Sequence, residues 1–123
     1  MMNYDYMSDF EINKAVAEIV TNGDVISLID MARGTSDNCV QVIYKVGVHG
    51  EYFDYCNNPS DAWPIIVKER IGVTPHGDKW MANNFNPSNI GDYQIQTICY
   101  DKNPLRAAMV CFLKMNEGNN VNS

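Results

Sequence analysis

The chain has 123 residues, 46% hydrophobic and 20% charged, with a formal charge of −6 at pH 7. That length implies one domain that buries its own core without needing a metal or a disulfide. The acidic balance counts against broad affinity for nucleic-acid phosphates, no apolar run reaches the ~20 residues of a membrane span, and residues 1–6 lack the basic and apolar regions of a secretory signal.

The charge is uneven. Residues 1–61 hold ten acids against Lys14, Arg33 and Lys45, whereas residues 62–123 hold five acids against six bases. A basic site is therefore expected in the second half, and an acidic face suited to a basic partner in the first. Cys39, Cys56, Cys99 and Cys111 show no C-x-x-C spacing and read as reduced core residues.

Met7-Ser8-Asp9-Phe10-Glu11-Ile12 is a complete helix start. Ser8 and Glu11 can form a capping box, Met7 and Ile12 a hydrophobic staple, and the acids suit the helix dipole. The helix is predicted over 9–21, stopped by Asn22-Gly23, with Ile12, Ala15, Val16, Ile19 and Val20 as its apolar stripe. The β-branched run after Asp24 favours a short strand, and residues 33–38 a polar turn. Alternation over 39–48 predicts the clearest strand, followed by a turn at His49-Gly50 and a hairpin partner over 51–55.

Asn58-Pro59 then opens a second helix, with Asn58 as cap, Pro59 as first helical residue and Asp61 in the first turn. Trp63, Ile66, Val67 and Arg70 fall on one face, Pro64 should kink the helix or split off its first turn, and Gly72 should end it. Residues 73–91 are rich in Gly, Pro and Asn, with a short strand over 79–82 and a loop over 84–91. Residues 93–100 alternate as a strand. Asn103-Pro104 repeats the cap-plus-proline start. The last helix is predicted to stop at Gly118, with a stripe of Leu105, Ala108, Met109, Phe112 and Leu113, and residues 119–123 as a frayed tail. The fold class is α+β: a single domain over 1–118 in which about three helices pack a small antiparallel sheet.

Two stretches resemble the NinX-like proteins of tailed phages and prophages: Tyr55-Cys56-Asn57-Asn58-Pro59-Ser60-Asp61-Ala62-Trp63-Pro64-Ile65-Ile66 and Asn103-Pro104-Leu105-Arg106-Ala107-Ala108-Met109-Val110-Cys111-Phe112-Leu113. The opening Ser8-Asp9-Phe10-Glu11-Ile12-Asn13-Lys14-Ala15-Val16-Ala17 is similar to the same family's N-terminus. The resemblance implies a phage origin, expression in an infected bacterium and residence in the host cytoplasm. The family has no assigned molecular function, so no catalytic residue carries over.

The residues themselves favour a non-enzymatic role. His49 and His76 lie far apart, no Cys or His pair has metal-ligand spacing, and there is neither a nucleophile elbow nor a Gly-rich phosphate loop, so no catalytic residue, metal or cofactor is expected. Aromatic residues interleaved with bases nominate Tyr55, Trp63, Lys68, Arg70, Trp80 and Arg106 as ligand-binding residues, since aromatic rings stack bases and cations pair phosphates. Arg106 and Arg70 have a second reading, as caps of carbonyls or partners of Asp54 or Asp61. The expectation is a phage accessory protein that binds a host bacterial protein or a small nucleotide-type ligand and blunts a bacterial defence, with a homodimer as the default assembly. The alternatives are a small hydrolase or nuclease using Asp54, Asp61 or His76, and a nucleic-acid binder of phage replication or transcription.

Overall fold

The computed structural model describes residues 3–21, 24–27, 40–43, 51–85 and 96–121. These form a short 3-10 turn, Tyr4–Tyr6, then α1 (Asp9–Val20), β1 (Asp24–Ser27), β2 (Val40–Ile43), β3 (Glu51–Phe53), α2 (Pro59–Glu69), β4 (Gly72–His76), β5 (Lys79–Phe85), β6 (Gln96–Asp101) and α3 (Pro104–Val121). The fold is α+β, and its strands are divided between two antiparallel sheets of order β1-β2-β3 and β4-β5-β6. The expected turns at 33–38 and His49-Gly50, the strand continuations at 44–48 and 93–95, the stop at Asn22-Gly23, the loop residues 86–91, and Cys39 lie outside the described residues.

The helix starts follow the local chemistry. The Ser8 hydroxyl accepts from the Glu11 amide at 3.1 Å and the Glu11 carboxylate accepts from the Ser8 amide at 2.9 Å, so the capping box is complete. The Asn58 side chain accepts from the Ser60 amide at 3.0 Å, and that of Asn103 from the Leu105 amide at 2.9 Å. The expected pairing of the second and third strands is present, with Gln41 opposite Tyr52.

Four expectations are corrected. First, the inward face of α1 is Ile12, Asn13, Val16 and Ala17, while Ile19 and Val20 are exposed. The buried asparagine turns the helix away from its purely apolar stripe. Second, α2 stays a single helix through Pro64 and buries Ala62, Ile65 and Ile66, leaving Trp63 62% exposed and Val67 exposed. The Asp61 carboxylate accepts from the Asp54 amide at 2.9 Å. At helical spacing this puts 62, 65 and 66 inward and 63, 67 and 70 outward. Third, Arg70 and not Gly72 ends α2: it takes φ 57°, ψ 48°, and the Ile71 amide reaches back to the Ile66 carbonyl at 3.0 Å. Gly72 instead opens β4, a strand the Gly-Pro composition concealed, which tolerates Pro75 because it is the sheet's edge. It joins β5 through Gly77-Asp78, where Gly77 has φ +65°. Fourth, α3 continues through Gly118 to Val121, so the predicted tail is helical as far as that residue.

Because a side chain at Arg70 occupies the left-handed region, Arg70→Gly is expected to raise stability by about 0.5–1 kcal/mol. Urea denaturation would register this as a higher midpoint with an unchanged slope.

α3 is the centre of the molecule. It packs against α1, α2, β4, β5 and β6, and Ala107, Ala108, Met109, Val110, Cys111, Phe112 and Leu113 are all buried. Over 107–113 the helix is covered on every side, so its apolar residues run consecutively there instead of forming a stripe. Among the described residues no helix is long and apolar enough to cross a membrane.

Candidate functional site

A polar cluster joins three helix starts. Asn13 is fully buried; its amide donates to the Asp54 carboxylate at 2.8 Å and its carbonyl accepts from the Cys56 amide at 2.9 Å. Asn57 donates to both Asp54 oxygens, at 3.1 and 3.2 Å, and to Asp9 at 3.2 Å. Asn103 donates to the Cys56 carbonyl at 2.7 Å and to Asn57 at 3.2 Å, so the two Asn-Pro starts touch in space. Buried polar groups must find partners, and here each helix start supplies the other's.

Arg106 closes the cluster. Its guanidinium pairs with Asp9, donates from Nε to Asp101 at 3.1 Å, and donates from Nη2 to the carbonyls of Tyr4 at 2.9 Å and Met7 at 2.6 Å. Burial pulls its pKa down, but the hydrogen bond and charge of Asp9 outweigh burial and hold it above its usual value. A cation in the first turn of α3 opposes the helix dipole, and the two carboxylates offset that. Arg106 is thus a cap of carbonyls, as its second reading had it, though its acidic partners are Asp9 and Asp101, not Asp54 or Asp61.

The carboxylates considered for catalysis serve the same framework. Burial, followed by the nearby charge of Asp54, raises the Asp61 pKa against the opposing hydrogen bond from the Asp54 amide. Cys56 is fully buried and its thiol is pushed well above the ordinary range, chiefly by burial and then by Asp9. A thiol so held is a poor nucleophile at neutral pH. His76 stands at the hairpin end of the second sheet, its ring 5.1 Å from that of Tyr100.

Among the described residues, two of the surface grooves bear on the predicted ligand residues. One, of about 420 Å³, lies where the last turn of α1 meets α2 and includes Tyr55 and Lys68. Tyr55 is itself buried and stacks on Phe53, with centroids 5.4 Å apart and planes 4° from parallel. The other, of about 540 Å³, runs along β6 and the outer turns of α3. Lys79, Lys102, Lys114 and Arg106 line it, against the carboxylates of Asp5 and Asp101. Tyr4 stands at its edge, with its hydroxyl donating to Glu117. Among the described residues the ion pairs are those of Arg106 with Asp9 and Asp101, and the three lysines have no carboxylate partner.

The six sequence-predicted ligand residues therefore do not converge. Tyr55 and Lys68 share the first groove, Arg106 lines the second, and Trp63, Arg70 and Trp80 line neither. Lys102 and Lys114 escaped sequence reasoning, although the excess of bases after residue 62 pointed to their half of the chain. The family model described as Bacteriophage P22, NinX matches residues 3–116. No curated protein matches the chain.

Proposed function

This chain belongs to the bacteriophage P22 NinX family, and we propose that it is a non-enzymatic accessory protein of infection that binds a small nucleotide-type anion in the groove along β6. The observation that carries the reading is the convergence of Lys79, Lys102 and Lys114 on one groove in a chain of net charge −6. Unpaired ammonium groups in a concave site attract phosphate, and the half-exposed ring of Tyr100 offers a face on which a base can stack. Arg106 is already committed to four acceptors and serves as the wall of the site. Sequestering such a ligand is the route by which the protein would blunt a bacterial defence.

The test is native mass spectrometry of protein from infected cells, followed by titration with a nucleotide panel. A charge-assisted contact is worth about 1.5–3 kcal/mol. Lys102→Glu combined with Lys114→Glu is therefore expected to weaken retention at least about a hundredfold, while substitution of Lys68 and Arg70 leaves it unchanged. Retention that survives the double reversal overturns the site. A second reading, a host protein as partner, is favoured by the outward pair Trp63 and Val67 one turn apart on α2. A co-purifying host polypeptide lost in Trp63→Ala would support it.

A further inference from the structure

Two carboxylates face the groove along β6, and the fold uses only one of them. Asp101 is committed: one oxygen accepts from the Asn103 amide at 2.8 Å and the other from Arg106 Nε at 3.1 Å. Asp5 lines the same groove with its side chain exposed, and among the described residues that carboxylate has neither a hydrogen-bond nor an ion-pair partner.

The position of Asp5 is nevertheless fixed. It stands in the 3-10 turn, whose cap Asn3 accepts from the Asp5 amide at 3.2 Å. The turn is tied to α3 on both sides of Asp5. The carbonyls of Tyr4 and Met7 accept from Arg106 Nη2 at 2.9 and 2.6 Å, and the buried Tyr4 donates through its hydroxyl to Glu117. The chain thus holds an uncommitted negative charge in the wall of a groove that Lys79, Lys102 and Lys114 make attractive to anions.

A fixed carboxylate repels a phosphate-bearing ligand and weakens the binding that the lysines favour. The repulsion is offset where the ligand brings hydrogen-bond donors to the carboxylate, because an ionised acceptor forms the stronger class of hydrogen bond. Asp5 pairs with none of the three lysines, so a ligand that meets both must carry its anionic and its donor groups at separate points. A ribonucleotide has that polarity, with phosphates at one end of the sugar and a diol at the other. In dinucleotide-binding folds a carboxylate takes the ribose hydroxyl in this way.

Resting on the nucleotide reading of the groove, we propose that Asp5 is its sugar-selecting residue, accepting from the ribose hydroxyls, and that the ligand class is ribonucleotides and not deoxyribonucleotides. The lysines hold the phosphates, the Tyr100 ring stacks the base and Asp5 takes the sugar. Every base carries the same ribose, so the selection does not depend on which base is bound. Against a deoxyribonucleotide, which lacks one hydroxyl, the carboxylate keeps its repulsion with less to offset it.

The test is equilibrium dialysis of the full chain against ATP, GTP, CTP and UTP and against the corresponding deoxyribonucleoside triphosphates. Each ribonucleotide that binds is expected to be held about tenfold tighter than its deoxy counterpart, as for a hydrogen bond to a charged group. In Asp5→Asn that advantage should be lost, and the deoxy forms should bind tighter than they do to wild type. Their gain marks the removal of a repulsive charge, which damage to the turn would not produce. Equal binding of the two sugars by wild type overturns the inference and leaves the groove reading standing. A ribose advantage that survives Asp5→Asn does the same, as does a preference for one base held equally in both sugars. Retention of no nucleotide at all overturns the groove reading itself, and this inference with it.

Discussion

Replacing Arg106 with methionine is expected to lower the unfolding free energy by about 2–3 kcal/mol, below the usual cost of leaving a fully buried charge without its partner, because the side chains of Asp9 and Asp101 are 25% and 28% exposed. Methionine keeps much of the stem's apolar contact, so the loss falls on the guanidinium. Without it, the partly buried carboxylates of Asp9 and Asp101 lose the cation between them, and the carbonyls of Tyr4 and Met7 lose their shared donor. Arg106→Lys should recover only part of the stability. An ammonium keeps the charge but lacks the planar fork that reaches two carboxylates and two carbonyls at once. Urea unfolding at low and high salt checks both points. The deficit should shrink only in part at high salt, because partly buried pairs are screened less than exposed ones. A methionine variant within 1 kcal/mol of wild type, taking roughly that as the ceiling for a surface ion pair, would show that the cluster is a solvated surface network.

Asn13 carries the second large effect. Asn13→Leu removes a donor from the Asp54 carboxylate and an acceptor from the Cys56 amide, both buried, and is expected to cost about 3 kcal/mol. Asn13→Asp is the sharper variant. It keeps the acceptor for Cys56 but places a second carboxylate where the amide now lies 2.8 Å from Asp54. Two carboxyls so close must share a proton, which raises the proton affinity of the folded pair above that of the unfolded chain. Stability linked to a raised carboxyl pKa grows as pH falls through the folded value. The Asp variant should therefore be severely destabilised at neutral pH and approach wild type on acidification, whereas the Leu variant's deficit should hold steady. Parallel urea titrations at neutral and mildly acidic pH separate the two. A pH-independent deficit for the Asp variant would mean that the two side chains do not meet.

The sequence was legible where a signal was local. The Ser8/Glu11 box and both Asn-Pro starts are complete within four residues, and each sits where its chemistry placed it. Faces were harder. Trp63 is the largest apolar side chain of α2, and hydropathy alone turns it inward; in the fold Ala62, Ile65 and Ile66 take the inner face, and the bond from the Asp54 amide to Asp61 accompanies that rotation. Asn13 misled in the opposite sense, because a polar residue inside a helix is ordinarily assigned to solvent. β4 was masked by its own glycine and proline, which an edge strand admits. The site was least legible of all. Arg106 and Asp9 lie 97 positions apart, and the groove lysines come from β5, the β6–α3 connection and α3, with no common motif.

The central place of α3 also bears on how the chain reaches its native state. The helix that α1, α2 and the second sheet close upon follows all of them in sequence. Until it docks, the inward faces of those elements have no common surface to cover, and local hairpins or helices alone do not build the core. The topology thus favours late, cooperative assembly through contacts of long sequence separation, and such assembly is slow for a chain of this size. In the interval before docking, the apolar faces of the earlier elements are open to misassociation. The acidic balance of residues 1–61 works against that association by charge repulsion between chains.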